Sequence, residues 1–365
     1  MTAIPDLSAR PVAKAATGAV RRQVFVAGDL HNLGDLKLLL QNLALTHGRG
    51  GAVRRWADLP DAIVRQVGEA GGELVPGRRV LSFARRAFGA ELVIGGGQLV
   101  RDNVSIPSLL GLAIAALSAQ IGGGRVITRG LGVSAIRSRL RRLLWRVVLG
   151  TCSVVNVRDK VSARNLADLL PGKQVAVNAD MVFLPTPAIH AAIPRGGERR
   201  WIVVAPCEDG GERRSLDGPA LDAVLEAALV ALPGARIAIA CHDPRESMDK
   251  ASASRLAARW SSRDPQVFDS FELGVLTDLY RDAGLVVTNR LHSLIFAVLA
   301  EAPALAIEDG TSKVRVVADD FAINVIRRED AGGAAGLVAA ALSFDRDQRA
   351  RVRLDLARRA ALNLT

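Results

Sequence analysis

Residues 285–297 read LVVTNRLHSLIFA: an apolar run, a polar turn with Arg290 and His292, and a second apolar segment of helical composition. This pattern predicts a buried strand whose carboxyl end leads into a helix. Ligands of α/β proteins bind at the carboxyl ends of strands, and a helix start offers free N–H groups and a partial positive charge. Arg290 and His292 at such a junction indicate a site for an anion, either a phosphate or a carboxylate.

Similar strands, each followed by a polar or glycine-rich turn, occur on both sides of this stretch. They lie near residues 24–28, 91–94, 125–129, 153–157 and 174–177, and again near 201–206, 235–240 and 304–307. Strands that alternate with helical segments imply βαβ units and parallel sheets. The sequence therefore predicts an α/β fold of two Rossmann-like domains that face each other across a cleft.

The proline- and glycine-containing stretch around 185–200 separates the two series of strands and is typical of a linker. We expect an N-terminal extension over 1–22, a first domain over 23–188, a linker over 189–200, a second domain over 201–344 and a C-terminal helix over 345–365.

Composition excludes several classes of protein. The 365 residues carry a net charge of +11, yet there is a single Tyr and no interleaving of basic and aromatic residues, which argues against nucleic-acid binding. The three cysteines have no metal-ligand spacing and are expected to be reduced core residues, which favours a cytoplasmic location and no metal site. No apolar stretch reaches the ~18 residues of a transmembrane helix.

Three strands of the first domain end in turns that suit a ligand site, at Gly28-Asp29, Gly95–Gly97 and Gly130–Gly132. Glycine after a strand lets a ligand approach the backbone, although any one of these turns can equally be a simple turn. Asp35, just after Asn32, is either the N-cap of the following helix or a substrate contact. Arg158 is either a solvated side chain beside the N-cap Asp159 or a second anion-binding arginine.

Residues 136–149 form a basic, amphipathic segment in which Leu140, Leu143, Leu144 and Val147 share one face. It is either an ordinary surface helix or a contact with an anionic membrane surface.

The order of these motifs resembles the polysaccharide pyruvyl transferase family over about residues 24–315. The matching motifs are Asn32–Asp35, Gly95–Gly97 with Asp102 shortly after, Gly130–Gly132, Arg158–Ser162, Ala179-Asp180, and Arg290–His292 with Pro303 beyond. One departure is the segment Cys207–Gly211, where many relatives carry a basic residue; Arg213 and Arg214 follow slightly later.

The resemblance implies a fold like the GT-B glycosyltransferases, with an acceptor site in the first domain and a donor site in the second. It implies phosphoenolpyruvate as donor, with no cofactor required, and a sugar of a bacterial surface polysaccharide or its lipid-linked precursor as acceptor. The product is a pyruvate ketal. A nucleotide-sugar-dependent glycosyltransferase of the same architecture is the alternative, because fold alone does not separate the two.

The resemblance also assigns roles to residues. We expect Arg290, Leu291, His292, Ser293 and Arg158 to bind the donor, with His292 as general acid. The acceptor would contact Asn32, Gly96, Gly97, Gln98 and Asp102, and its base would be Asp29, Asp35 or Asp102. The protein would work in the cytoplasm, with peripheral contact to the inner face of the plasma membrane through 136–149.

Overall fold

The computed structural model describes residues 21–184, 199–207, 216–308 and 312–364. The strands of the first half are β1 Gln23–Val26, β2 Gly51–Arg55, β3 Gly72–Pro76, β4 Glu91–Gly95, β5 Arg125–Arg129, β6 Val155–Val157 and β7 Val175–Val177. Those of the second half are β8 Trp201–Ala205, β9 Arg236–Ala240, β10 Gln266–Phe268, β11 Ala283–Thr288, β12 Ala304–Glu308 and β13 Asn324–Arg327.

Helices cover both faces of the sheets. In the first half they are α1 Leu33–Ala44, α2 Asp61–Glu69, α3 Val80–Ala87, α4 Ile106–Ile121, α5 Arg139–Gly150 and α6 Lys160–Leu169. Further along the chain they are α7 Pro219–Ala231, α8 Ala251–Arg259, α9 Leu273–Arg281, α10 Leu291–Leu299, α11 Ser312–Asp320, α12 Ala334–Ser343 and α13 Arg346–Ala361. A π turn spans Glu246–Lys250, and 3-10 turns span Met181–Phe183, Ser261–Arg263 and Leu362–Leu364.

Both sheets have the same doubly wound strand order. The first runs β3-β2-β1-β4-β5 and the second β10-β9-β8-β11-β12-β13, and every pairing is parallel. Strands β6 and β7 pair with each other, and single bridges such as Leu131 to Val157 join this pair to the first sheet. The order reverses beside β1 and beside β8, which is where a crevice forms at the carboxyl ends of the strands. The predicted fold of two Rossmann-like halves in the GT-B arrangement is confirmed.

The central strands are buried on both faces, as parallel sheets covered by helices require. All residues of β4 and β11 are buried, and their sequences ELVIG and AGLVVT are largely apolar. One apolar cluster includes Leu33 and Leu36 of α1 together with Leu294 and Ile295 of α10, so the two halves pack directly against each other.

Strands β2, β3, β10 and β13 were not predicted. They carry charged or polar residues, such as Arg54 and Arg55 in β2 and Glu73 in β3, or they are only three or four residues long. Strands β3, β10 and β13 lie at or next to sheet edges and bury less apolar surface than central strands, so their hydrophobic pattern is weaker, whereas β2 lies inside its sheet but carries two arginines.

Helix α13 connects the two halves. It begins with a capping box between Asp345 and Gln348, and Arg346 and Arg353 both contact the buried Glu301 at 3.0 Å. Just beyond its end, the Asn363 side chain accepts from the Gly130 amide at 2.8 Å, on the first half. The predicted linker lies almost entirely outside the described residues, as do 1–20 of the N-terminal extension, and the predicted domain boundaries stay predictions.

Candidate active site

Helix α1 brings Asp35 to the carboxyl end of β1. The Asn32 side chain accepts from the Gly34 amide at 3.0 Å and caps the helix, so the capping role that the sequence also allowed for Asp35 falls to Asn32. Asp35 lies in the first turn, and its Oδ2 accepts from the Asp29 amide at 3.2 Å. The Asp35 carboxyl is thereby held by the loop that follows β1.

Glycines surround Asp35 and His292 because no side chain fits beside them. A Cβ atom on Gly28 or Gly97 would overlap the Asp35 carboxylate, and one on Gly34 would overlap the His292 ring. Gly97 also has a φ of +73°, in the left-handed region that favours glycine. The glycines at these turns therefore leave space for the side chains of Asp35 and His292.

His292 of the second half faces Asp35 of the first half. Its Nε2 lies 4.0 Å from Asp35 Oδ1, and neither atom has a hydrogen-bond partner among the described residues. Burial raises the pKa of Asp35 to about 7, against the lowering effect of the positive charges of Arg101 and Arg158. Burial and the charges of Arg158 and Arg290 lower the pKa of His292 to about 3. Asp35 therefore titrates near neutral pH, while His292 is uncharged, so a proton bound by this pair lies on Asp35 rather than on His292.

Arg158 directly follows β6, its charge acts on both members of this pair, and it is held by neighbours of the first half. It donates to Gln98 Oε1 at 2.8 Å and to Asp180 at 3.3 Å. Gln98 in turn donates to Ser134 Oγ at 2.8 Å, so both ends of the Gln98 side chain have partners within the protein. Gln98 therefore orients Arg158, besides the acceptor contact predicted for it.

Arg290 and Ser293 lie within the second half. The buried Arg290 guanidinium forms an ion pair with Asp249, and its Nε donates to the Pro206 carbonyl at 3.3 Å. Ser293 Oγ accepts from the Tyr280 hydroxyl at 2.6 Å. The structure thus joins both residues to buried polar networks beneath the start of α10, and their donor contacts stay predictions.

Asp29 links the two halves across the cleft. Its carboxylate accepts from Arg245 at 2.7 Å and lies 2.9 Å from the His31 ring, and nearby the Leu33 amide donates to the His242 carbonyl at 2.8 Å. Burial alone would raise the pKa of Asp29, but the hydrogen bond from His31 and the charge of Arg245 outweigh it and hold the pKa well below its usual range. Asp29 is therefore ionised and a weak base.

The predicted acceptor residue Asp102 is engaged elsewhere. Its carboxylate accepts from the Ser138 amide at 3.2 Å, just before α5. Of the predicted residues, the structure thus brings together Asp35, Gly97, Arg158 and His292, with Asp29 beside them, whereas Asp102 positions the loop before α5.

Two cavities have linings that include chain neighbours or contacts of Asp35 and His292. The interdomain cavity, about 340 Å³, is lined by residues of both halves and of α13, among them Arg158, Lys160 and Leu291. The first-half cavity, about 220 Å³, lies at the carboxyl ends of β1 and β4 and is lined by Gly28 and Asp29 among others. Leu291, which lines the interdomain cavity, directly precedes His292, and Gly28, which lines the first-half cavity, lies against the Asp35 carboxyl.

Sequence reasoning missed several residues that line these cavities. They are Lys160, Trp56 and Arg101. Trp56 directly follows β2, which was itself missed, and the only sequence signal for Arg101 was its place after the Gly95–Gly97 turn.

No group of three His, Cys, Asp or Glu side chains suited to a metal ion occurs within the described ranges. In the same part of the chain, no helix is long and apolar enough to cross a membrane. The three cysteines are buried, and none forms a disulfide within the described residues.

Solved structures with the same architecture support the fold. Anabaena HepE in complex with UDP and glucose shares 11% identity and a TM-score of 0.57, with 94% of this chain and 95% of that chain covered. UDP-GlcNAc 2-epimerase from Neisseria meningitidis shares 10% identity and a TM-score of 0.57, with 94% and 98% covered. A glycosyltransferase from Rickettsia africae shares 12% identity and a TM-score of 0.57, with 94% and 95% covered. At this level of identity the likeness concerns the fold alone.

No curated protein matches this sequence. The family of polysaccharide pyruvyl transferases matches residues 57–310, which contain most of both sheets, Arg158 and the Arg290–His292 turn. The match covers more than half of the chain and agrees with the motif order and with the two-domain fold. The chain therefore belongs to the polysaccharide pyruvyl transferase family.

Proposed function

We propose that this protein transfers the pyruvyl group of phosphoenolpyruvate to a sugar of a bacterial surface polysaccharide or its lipid-linked precursor and forms a pyruvate ketal. The observation that carries the proposal is the meeting of Arg158, Asp35 and His292 between the two halves, in a chain of this family. The transfer requires positive charge to bind the anionic donor, and close to it a group that donates a proton to the methylene carbon of the donor.

Donor binding is assigned to the side of Arg158. Phosphoenolpyruvate carries a carboxylate and a phosphate on neighbouring atoms, and guanidinium groups bind both bidentately. Arg158 and the exposed Lys160 line the interdomain cavity, and Leu291 lines its opposite wall. Arg290 contributes mainly by holding the start of α10, because its guanidinium is already engaged in an ion pair with Asp249.

The reaction balances as follows. A proton adds to the methylene carbon of the donor, and a sugar hydroxyl attacks the C2 carbon and loses its proton. The C2–O bond to phosphate then breaks, and a second hydroxyl of the same sugar adds to C2 and loses its proton. One released proton replaces the one delivered, and the other leaves with inorganic phosphate.

Asp35 and His292 supply the proton together. Negative charge of a bound donor raises the pKa of His292, because an opposite charge favours the imidazolium. A proton held on Asp35 then passes to His292, whose Nε2 lies 4.0 Å from Asp35 Oδ1. His292 delivers it to the methylene carbon, and Asp35, then ionised, accepts a proton from the attacking hydroxyl.

The direct test is to incubate the protein with phosphoenolpyruvate and with galactose- or mannose-type glycans. Phosphate release that depends on the acceptor, together with a ketal methyl signal in the proton NMR spectrum of the product, supports the proposal. Turnover should persist after treatment with a chelator, since the proposal includes no cofactor. Thermal stabilisation by a uridine or guanosine diphosphate sugar, and not by phosphoenolpyruvate, would instead support the nucleotide-sugar glycosyltransferase alternative.

We also propose that the protein, working in the cytoplasm, contacts the inner face of the plasma membrane through α5 and its neighbours. The predicted segment 136–149 forms α5 from Arg139 onward, where Leu140 and Leu143 are half exposed. Helix α4 packs against both α3 and α5. These helices and their ends also expose Leu81, Phe88, Leu110, Ile114, Leu117 and Ile121.

Exposed arginines lie among these apolar side chains, including Arg85, Arg137 and Arg139. Apolar side chains beside cations fit an anionic bilayer surface. Vesicles containing phosphatidylglycerol should sediment the wild type, and replacing Leu140 and Leu143 together by Asn should reduce this. Val230→Asn, at an even more exposed apolar position in the second half, is the control. Equal sedimentation of all three proteins would contradict this contact.

A further inference from the structure

We infer that the first-half cavity is the acceptor subsite and takes a hexopyranose ring, which lies against Trp56 and is fixed by Arg101 and Asp29. This inference rests on the proposed function and adds the position and the residues of acceptor binding. None of Trp56, Arg101 or Arg54 was predicted as a site residue.

Trp56 is held as a rigid, accessible ring. Its indole nitrogen donates to the Ala27 carbonyl at 2.8 Å, and the Arg54 guanidinium lies 4.4 Å from the ring centroid. The residue nevertheless remains 36% exposed. An aromatic ring fixed on one side and accessible on the other is the surface on which the apolar face of a sugar packs.

Arg54 acts as a positioning residue behind this ring. It is 1% exposed and lies between Trp56 and Phe83, whose centroid is 5.5 Å away. Among the described residues it has no carboxylate partner, and it donates only to backbone carbonyls such as that of Ser108 at 3.3 Å. Burial of a cation without a counter-charge costs free energy, and its cation–π contact with Trp56 offsets part of that cost. The same contact holds the Trp56 ring in place.

The polar groups of the cavity are those that sugar hydroxyls need. Arg101 is exposed and has no ion pair within the described part of the chain, so its donors are available. The Asp29 carboxylate is ionised and accepts hydrogen bonds. Trp145 also lines the cavity, is 2% exposed, and has an indole nitrogen with no partner among the described residues. A buried donor of this kind needs an acceptor, and a ligand oxygen in the cavity supplies one.

The cavity is also close enough to the reacting groups. The positive charge of Arg101 acts on the Asp35 carboxyl, and the backbone amide of Asp29 donates to Asp35 at 3.2 Å. A sugar that contacts both Arg101 and Asp29 therefore presents its hydroxyls to the Asp35–His292 pair. The donor is assigned to the interdomain cavity, whose lining includes Arg158 and Leu291, the residue before His292.

The test uses the full chain in two measurements. Saturation-transfer NMR with methyl galactoside, mannoside and glucoside, without phosphoenolpyruvate, reports sugar binding. Steady-state turnover with the best glycan reports KM for acceptor and for donor separately. The variants are Trp56→Leu, Trp56→Phe and Arg101→Gln, and Arg263→Gln, an exposed arginine of the second half, is the matched control.

We expect Trp56→Leu and Arg101→Gln each to raise the acceptor KM by about tenfold or more, with the donor KM unchanged, and Trp56→Phe to restore most of the loss. Turnover with an unchanged acceptor KM in both variants would overturn the subsite and leave the proposed function standing. Sugar binding that depends on Trp56 and Arg101, without any turnover, would support the subsite and contradict the proposed function. Circular dichroism of each variant confirms that it is folded.

Discussion

The buried carboxyl of Asp35 should lower the stability of this protein at alkaline pH, and removing its charge should restore that stability. In the folded protein its pKa rises from the ordinary 3.8 to about 7, so between these values the folded state binds more protons than the unfolded state. Stability therefore falls as pH rises from about 4 to 7, and the full penalty is present above pH 7. The Asp35→Asn variant carries no such penalty.

The size of the effect follows from the same shift. A rise from 3.8 to about 7 corresponds to about 4 kcal/mol between the two protonation states. Because the side chain is 13% exposed and gains some solvation, we expect Asp35→Asn to gain about 2–4 kcal/mol at pH 8 and little at pH 4. Turnover should be lost at both values, since the variant cannot hold or accept the proton.

Denaturant unfolding at pH 4 and pH 8 measures this gain, with the wild type compared at each pH. Asp58→Asn is the matched control, because the Asp58 carboxylate is 98% exposed and its removal should give no pH-dependent gain. A variant that is equally stable relative to wild type at both pH values, or less stable at pH 8, would refute the assignment of a raised pKa to Asp35.

Three further predictions address the neighbours of Asp35. His292→Ala should lower kcat by about 10²–10⁴-fold while phosphoenolpyruvate still raises the unfolding temperature, and near wild-type turnover would exclude His292 as the proton donor. Gly34→Ala should displace the His292 ring and abolish turnover, whereas Gly68→Ala, whose Cβ meets no atom within 4 Å, should retain activity and gain about 0.5–1 kcal/mol. Arg245→Gln should raise the pKa of Asp29 in the folded protein. A lowered carboxyl pKa stabilises the fold at pH values above the pKa of the unfolded state, and this stabilisation is lost as the pH falls. The variant should therefore lose less stability than the wild type between pH 5 and 3. Identical acid unfolding of both proteins would contradict the Arg245–Asp29 contact.

Much of the fold could be predicted from the sequence because the central strands are almost wholly apolar. The runs at 91–95 and 283–288 are buried on both faces of parallel sheets, and such runs stand out without any tertiary information. The glycine turns and the Arg290–His292 junction were found for the same local reason. Strand β2, with Arg54 and Arg55, was missed because the buried Arg54 is accommodated by packing on Trp56 and Phe83, which no local pattern reveals.

The sequence by itself determined the α/β class, the two halves, the family and the turns at which the candidate site lies. Only the tertiary structure decided that Arg290 faces Asp249, that Asp102 faces the start of α5, and that Asp35 meets His292 of the other half. It also decided that Asp35 has the higher pKa of this pair, because pKa values depend on burial and on charges brought together from distant parts of the chain. Local patterns report where strands and turns occur, whereas the partner of each charged side chain is set by how the two halves pack.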